Sequence, residues 1–206
     1  MTCPRFVIGL DLGQAVDPSA LAVIDTIDGM LDVRFLDRWK PERPNLTCVI
    51  HRLMDLLEAK PALLDSALGF DAAGIGRAFE PRLLSSAVAG LVPIYPLVAC
   101  SGWRPAGQKR GVVFLPKSGL VDVFTKAMES GKLRVADIPL APVLRHEMTV
   151  YQERQLPDGR RAWGAKRGEH DDVLSSVQLA VWLATRLQSQ GRSGLVPANR
   201  VERRTA

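Results

Sequence analysis

Acidic residues that could act together in chemistry stand at three distant places in the sequence. Asp11 ends an apolar run that starts at Phe6, Asp71 ends a second short run, and Asp171 and Asp172 open a long helical pattern. In a mixed α/β sheet, ligands gather at strand ends and helix N-termini. Carboxylates that meet there repel one another unless a cation lies between them. We therefore expect these acids to hold divalent metal.

The ligand type favours Mg²⁺ or Mn²⁺, because carboxylate oxygens are hard ligands and the sequence has no matching His/Cys cluster. Two such ions are the usual device for phosphodiester hydrolysis, since one activates the attacking water and the other stabilises the leaving oxygen. Each acid also has an ordinary structural interpretation. Asp11 could be a satisfied strand-end acid, Asp71 could cap the following turn, and Asp171 or Asp172 could cap the last helix.

Helical spacing separates the two neighbouring acids. The buried face of the last helix is marked by Val173, Val177, Ala180 and Ala184. Asp172 lies nearer the edge of that face than Asp171, so we predict Asp172 as the direct ligand and keep Asp171 as the alternative. His170, beside the pair, could ligate a metal or position a water, or could be an exposed histidine at the start of the helix.

Composition limits the class of protein. A chain of 206 residues with 47% hydrophobic residues fits one medium domain with a sizeable core. Three widely separated cysteines favour a reduced, cytoplasmic setting over a disulfide scaffold or a zinc site. The sequence shows no signal-peptide pattern and no apolar run long enough to cross a membrane, so we expect no membrane partner. The net charge of +5 is compatible with a polyanionic partner.

The pattern of elements predicts an α/β fold. Strands over residues 5–12, 20–25 and 31–39 form an antiparallel meander, and Leu31, Val33 and Phe35 share one side of the third strand. Helices and further strands then alternate, which indicates one mixed sheet with helices on its faces. Pro93 and Pro96 place the strand over 91–98 at an edge or make it irregular. The further predictions are helices after Asn45 and over 77–88, 117–130, 142–148 and 169–187, strands over 68–71 and 132–135, and a hairpin over 151–165.

Several motifs in order resemble the nuclease domain of tailed-phage terminase large subunits. They are Gly9–Gly13 with Asp17–Val23, Phe70–Gly76, Gly168–Leu174, and between them Pro116–Val121 and Ser130–Leu133. The resemblance spans about residues 5–187. It implies a ribonuclease-H-like fold and a two-metal DNA endonuclease, with Asp11, Asp71 and Asp172 (or Asp171) as ligands. We accordingly expect a nuclease domain over residues 1–190 and a flexible basic tail over residues 191–206.

The resemblance covers the nuclease only. Full terminase large subunits carry an ATPase motor before it, and the segment most like a phosphate loop here, Gly111–Ser118, has Pro116 where the second glycine should stand. Proline has no N–H to offer a phosphate, so we exclude nucleotide binding there. The chain could be an excised domain, half of a split terminase, or a free-standing relative. Packaging would need a separate packaging ATPase, small terminase subunit or portal, in the host cytoplasm if the chain is phage-encoded.

Basic residues indicate where double-stranded DNA could bind. The candidates are Lys109, Arg110, Lys117, Arg160, Arg161, Lys166 and Arg167, of which the last four line the hairpin before the acid pair. A hairpin beside a metal site could hold phosphates around the scissile bond, or it could be an ordinary solvated hairpin. Two other functions stay open. One is a Holliday-junction resolvase-like nuclease, and the other is a non-catalytic module that docks DNA or a motor.

Overall fold

A mixed β-sheet between two layers of helices forms the framework of the protein. The computed structural model describes residues 3–13, 17–40, 46–100, 106–155, 161–189 and 194–201. The strands are β1 (Phe6–Asp11), β2 (Ser19–Asp25), β3 (Leu31–Trp39), β4 (Ser66–Asp71), β5 (Ile94–Cys100), β6 (Gly107–Lys109), β7 (Val112–Pro116), β8 (Leu133–Val135), β9 (Tyr151–Gln155) and β10 (Arg161–Ala165). The helices are α1 (Leu46–Ala59), α2 (Gly76–Leu84), α3 (Val88–Leu91), α4 (Lys117–Glu129), α5 (Ala141–Val150), α6 (Asp172–Ser189) and α7 (Ala198–Val201), with a 3₁₀-helix over Pro61–Asp65.

Within the described residues, the main sheet has eight strands in the order β6-β7-β5-β4-β1-β2-β3-β8, and β9 and β10 form a separate hairpin. The meander β1-β2-β3 is antiparallel. The strands β1, β4, β5 and β7 are parallel to one another. The predicted α/β class, with an antiparallel meander joined to parallel strands, is therefore confirmed.

Both faces of the sheet are covered, which explains why its central strands read as apolar runs rather than alternating ones. Every residue of β2 is buried. One core lies under α4, α5 and α6, and the other lies under α1, α2 and α3. Gly9 sets the approach of α6 to the sheet, because a Cβ atom there would lie 2.0 Å from the carbonyl oxygen of Ser176. The absence of a side chain at Gly9 thus lets the helix rest on the strand backbone.

Strand β3 differs from the predicted alternation. Val23 pairs with Phe35, but the next residue, Ile24, pairs with Val33, so a bulge at Arg34 shifts the register. Leu36, rather than Phe35, therefore joins Leu31 and Val33 in the core under α6, and Phe35 packs on the opposite side of the sheet. The prediction that Phe35 shares a face with Leu31 and Val33 was wrong, because period-two spacing does not anticipate an extra residue.

Strand β5 is interior, contrary to the prediction of an edge. It lies between β4 and β7. Pro96 pairs with Phe70 of β4, whereas pairing with β7 begins only at Leu97. The prolines are tolerated because they precede the point at which the second neighbour joins, so no ladder bond to β7 is lost there.

The segment predicted as a loose tail is packed over part of its length. Asn199 accepts a hydrogen bond from the Ile94 N–H at 3.1 Å and donates to the carbonyl oxygens of Ala89 and Val92. Residues 194–201 therefore dock on α3 and β5, and the prediction of looseness is wrong for them. The domain boundary at residue 190 stays a prediction.

Two further features bear on the class of protein. Cys3, Cys48 and Cys100 are exposed and unbridged. No helix in the described part of the chain is both long enough and apolar enough to cross a membrane.

Candidate active site

A row of side chains across the end of the sheet forms the base of the site. Asp11 pairs with Ala20 of β2, and Ala20 pairs with Arg38 of β3. On the other side, Leu10 pairs with Phe70, so Asp71 follows beside Asp11. Residues opposite one another in neighbouring strands share a face, and the strands are about 4.8 Å apart. The row reads Asp71, Asp11, Ala20, Arg38 on the face that α6 covers, where Ala20 is part of the core.

The first turn of α6 brings the acid pair over this row. The helix begins at Asp172, directly after Asp171, and it contacts β1, β2, β3 and β4. The close approach permitted by Gly9 sets the height of the helix above β1. Two sheet acids and two helix acids, far apart in sequence, therefore meet at one end of the sheet.

Asp11 stands at the electrostatic centre of this group. Burial raises the pKa of its carboxyl well above the usual value, and the charges of Asp71, Asp172 and Asp171, in that order, raise it further. Lys117, the first residue of α4, acts in the opposite direction. A carboxyl in this setting favours either a proton or a metal cation.

Asp71 combines a structural contact with its place in the row. Its Oδ1 accepts a hydrogen bond from the Ala73 N–H at 2.8 Å, as the turn-capping interpretation expects. Burial raises its pKa, whereas the Ala73 N–H and the Lys117 charge lower it. Gly76 closes the same turn, because a Cβ atom there would lie 2.0 Å from the Asp71 carbonyl oxygen. The glycines after Asp71 are thus explained by the turn itself.

Asp171 and Asp172 have different partners. Asp171 Oδ2 accepts a hydrogen bond from the Ala165 N–H of β10 at 3.2 Å. Asp172 is buried, and its Oδ2 lies 3.0 Å from Arg38 Nη2 and 3.8 Å from His170 Nδ1. Burial raises the pKa of Asp172, and Arg38 followed by His170 lowers it. His170 is thus close enough to act on Asp172 through its charge but too far for a hydrogen bond.

Two residues of this site were missed by sequence reasoning. Arg38 reaches Asp172 from β3, and Glu147 of α5 places its Oε1 3.5 Å from Arg38 Nη1. Glu147 Oε2 accepts the Leu174 N–H at 2.7 Å and so satisfies a free donor of the first turn of α6. Burial raises the pKa of Glu147 to about 7, although the Leu174 N–H and Arg38 oppose the rise.

A sequence signal existed for one of the two. Glu147 falls at helical spacing in the buried stripe of Leu144 and Val150, where an acid is unexpected. Arg38 gave no signal, since simple alternation along β3 places it on the opposite side from Leu31 and Val33.

The donor set fits a divalent cation in its chemistry. Five carboxyl groups face two permanent cations, Arg38 and Lys117. The buried Asp172 Oδ2 has no hydrogen bond among the described residues, despite its proximity to Arg38. In the same part of the chain, no three His, Cys, Asp or Glu side chains form a ready-made set of metal ligands. The acids therefore supply hard oxygen donors and excess negative charge, and a cation would draw them closer together.

The basic candidates fall into two groups. Lys109 and Arg110 are exposed in the turn between β6 and β7, and Lys166 and Arg167 are exposed after β10. Arg161 begins β10, and Arg160 lies outside the described residues. Only Lys117 of the candidates acts on the acids through its charge in the described structure.

The hairpin is attached beside the acid pair. Tyr151 and Trp163 stack with ring centroids 6.0 Å apart, and Arg154 Nη2 donates to the Ala165 carbonyl oxygen at 2.7 Å. The N–H of Ala165 is the donor to Asp171. The base of the hairpin is thus fixed to the site by hydrogen bonds.

Comparison with solved structures identifies the fold. The large terminase nuclease from thermophilic phage G20c matches with a TM-score of 0.62 at 21% identity, over 85% of this chain and 80% of that chain. It has also been solved with bound magnesium. The large terminase nuclease domain of Thermus phage P74-26 matches with a TM-score of 0.57 at 20% identity, over 92% and 82%. A large terminase from a third thermophilic bacteriophage, in complex with ATP-γ-S, matches with a TM-score of 0.62 at 11% identity, over 88% of this chain but 40% of that one.

No protein-family model matches the sequence, and no curated protein matches it. The structural likeness is nevertheless consistent across three phages and covers nearly the whole chain. It confirms the predicted resemblance at the level of the fold: this chain has the ribonuclease-H-like fold of large terminase nuclease domains.

Proposed function

We propose that this chain is a divalent-metal-dependent endodeoxyribonuclease in which Asp11, Asp71 and Asp172 hold two ions, Mg²⁺ or Mn²⁺. The observation that carries the proposal is the convergence of four acids on the buried Asp11, whose pKa is raised by all three others. Asp171 is the alternative ligand to Asp172. The bound magnesium of the G20c nuclease supports the choice of a divalent ion.

The residues of the chain divide the work as follows. Asp11, between Asp71 and the helix acids, is placed to be shared by both ions. When bound, the ions would activate a water and stabilise the leaving oxygen of a phosphodiester. Lys117 offers a positive charge beside Asp11 and Asp71, where it can attract a DNA phosphate. His170, partly exposed beside Asp172, is placed to hold a water.

Double-stranded DNA is the proposed substrate. The hairpin fixed beside Asp171 presents Lys166 and Arg167 to solvent, and Arg160 and Arg161 belong to the same hairpin in sequence. We assign these residues to phosphate contacts on one side of the scissile bond, and Lys109 and Arg110 to a second phosphate contact. Contacts of this kind hold DNA without reading its sequence, so cleavage should show little sequence preference.

The proposed setting is viral DNA packaging in the host cytoplasm. The large terminase solved with ATP-γ-S matches over 40% of its length. This leaves the motor function to another part of a terminase, and we propose a packaging ATPase, a small terminase subunit or a portal as the partner that controls cutting.

A plasmid assay tests the proposal. Supercoiled plasmid is incubated with the chain and Mg²⁺ or Mn²⁺, with EDTA as the blank. Asp11→Asn should reduce cleavage by at least about a hundredfold, as expected for loss of a preorganised charged group. The matched control is Asp122→Asn, which alters an exposed acid of α4 and should cut like the wild type. Equal cleavage by Asp11→Asn, or no cleavage by the wild type with either ion, would refute the nuclease.

The same assay separates the two alternative functions. Preference for a four-way junction over a linear duplex would indicate a resolvase-like enzyme. DNA binding without metal-dependent cleavage would indicate a non-catalytic docking module.

A further inference from the structure

Arg38 lies in the row of the catalytic candidates, but it is a cation among acids. Two strand spacings, about 10 Å, separate its backbone from that of Asp11. The residue between them is Ala20, whose side chain is too small to fill the gap. The long arginine side chain can therefore extend along the sheet toward the first turn of α6.

The guanidinium of Arg38 stands between two buried acids. Its Nη2 lies 3.0 Å from Asp172 Oδ2, and its Nη1 lies 3.5 Å from Glu147 Oε1. Asp172 is 7% exposed and Glu147 is 1% exposed, so both charges need a partner inside the protein. Neither oxygen has a hydrogen bond within the described part of the chain, which leaves the Arg38 charge as their compensation.

Glu147 is the more firmly held of the two acids. Its other oxygen accepts the Leu174 N–H at 2.7 Å, and its neighbour His146 contacts Glu169 Oε2 at 3.1 Å, which links α5 to the loop before α6. Because the guanidinium already lies close to both carboxylates, Arg38 can exchange one for the other by a small shift, with Glu147 as the fixed partner.

We infer that Arg38 is a positioning residue that competes with the divalent ion for the carboxylate of Asp172, and that Glu147 is the partner to which Arg38 turns when the ion binds. The inference rests on the proposed metal site. Without the ion, Arg38 neutralises Asp172 and keeps the acid cluster together. With the ion, Asp172 is released toward Asp11, and the Arg38 charge stays balanced by Glu147.

Mn²⁺ affinity is the direct test, measured by isothermal titration calorimetry in mildly alkaline buffer without DNA. Arg38→Gln removes the competing charge, so Mn²⁺ should bind at least about tenfold tighter. Arg38→Lys keeps the charge and should stay within about threefold of the wild type. Arg34→Gln removes a charge from the same strand, where it pairs with Asp32 at 3.0 Å instead, and should leave affinity unchanged. Unchanged or weaker binding by a folded Arg38→Gln variant overturns the inference.

A second variant covers the case in which Arg38→Gln does not fold. Glu147→Gln keeps an acceptor for the Leu174 N–H but removes the alternative partner of Arg38. Arg38 should then pair more firmly with Asp172, and Mn²⁺ affinity should fall by about threefold or more. Unchanged or tighter binding by this variant overturns the inference as well.

DNA affinity in EDTA distinguishes positioning from direct phosphate contact. A positioning role predicts that Arg38→Gln binds DNA as the wild type does, whereas a loss equal to that of Arg167→Gln would overturn it. A wild-type chain that binds Mn²⁺ without cutting DNA refutes the nuclease but not this inference. A wild-type chain that cuts, with an Arg38→Gln variant that binds Mn²⁺ no tighter, refutes this inference alone.

Discussion

Glu147 shows how the environment of a single residue links stability to the candidate site. It is buried, accepts the Leu174 N–H, and shares Arg38 with Asp172. Its raised pKa of about 7 means that the folded protein holds a proton that the unfolded chain, with a value of 4.5, releases earlier. The acid group is thus arranged at a cost in stability that a bound cation could offset.

The pH dependence of stability should carry the signature of Glu147. Below pH 4.5 both states are protonated, so no penalty exists; between 4.5 and 7 only the unfolded chain ionises, and stability is lost as pH rises. The loss is up to about 3 kcal/mol for this shift. Glu147→Gln should therefore flatten the profile across this pH window, as measured by urea unfolding in EDTA.

The control for this experiment is Glu129→Gln, which alters an exposed acid at the end of α4. It should reproduce the wild-type dependence. A Glu147→Gln profile parallel to that of the wild type would mean that Glu147 is ionised at neutral pH in the folded protein.

At the scale of elements, the site depends on how closely α6 approaches β1. The helix carries Asp172 at its first position and packs on a strand that has no side chain at Gly9. The bulge in β3 makes the second contribution, since it turns Leu36 and Arg38 toward α6. Two local irregularities in the sheet thus bring helix and strand residues together.

Gly9→Ala should be severely destabilising. Its Cβ atom would lie 2.0 Å from the Ser176 carbonyl oxygen and 2.8 Å from the Ala180 nitrogen, and backbone atoms cannot move aside as a flexible side chain can. We expect a loss of more than about 3 kcal/mol in the free energy of unfolding, beyond the usual range for overpacking. Chemical denaturation followed by circular dichroism measures it.

Gly90→Ala is the matched control, because its Cβ atom would meet open space in α3. It should be neutral or slightly stabilising. A Gly9→Ala variant within about 0.5 kcal/mol of the wild type would show that α6 does not rest on β1 in the way described.

At the scale of the whole molecule, the chain closes on itself through Asn199. This side chain joins α7 to β5 and α3 by three hydrogen bonds, and the Ile94 that it binds is fully buried. The last described residues thus secure the start of an interior strand at the end opposite to the acids.

Asn199→Ala should lower the thermal stability of the entire domain. It leaves the buried Ile94 N–H without its partner and costs about 2–3 kcal/mol. For a chain of this size the midpoint of thermal unfolding should fall by about 5–10 °C. Ser189→Ala, which removes an exposed contact within α6, should change it by less than about 2 °C. A similar midpoint for both variants would show that α7 is not part of the cooperative unit.

The sequence by itself determined the class of fold and the acids. Apolar runs, turn residues and helical spacing predicted the meander, the alternating elements and the long last helix, because these signals are local. Asp11, Asp71, Asp171 and Asp172 stood out because acids are unexpected at the ends of apolar elements. The structural likeness to terminase nucleases then confirmed the fold that the motifs predicted.

Tertiary structure alone decided which other residues share the site with these acids. Arg38 faces α6 only because a bulge shifts the register of β3, and Glu147 meets it only because α5 packs against the first turn of α6. The same holds for β5, whose place inside the sheet depends on where β7 begins to pair. Each of these depends on contacts between residues distant in sequence, and local patterns do not encode the register in which such residues meet.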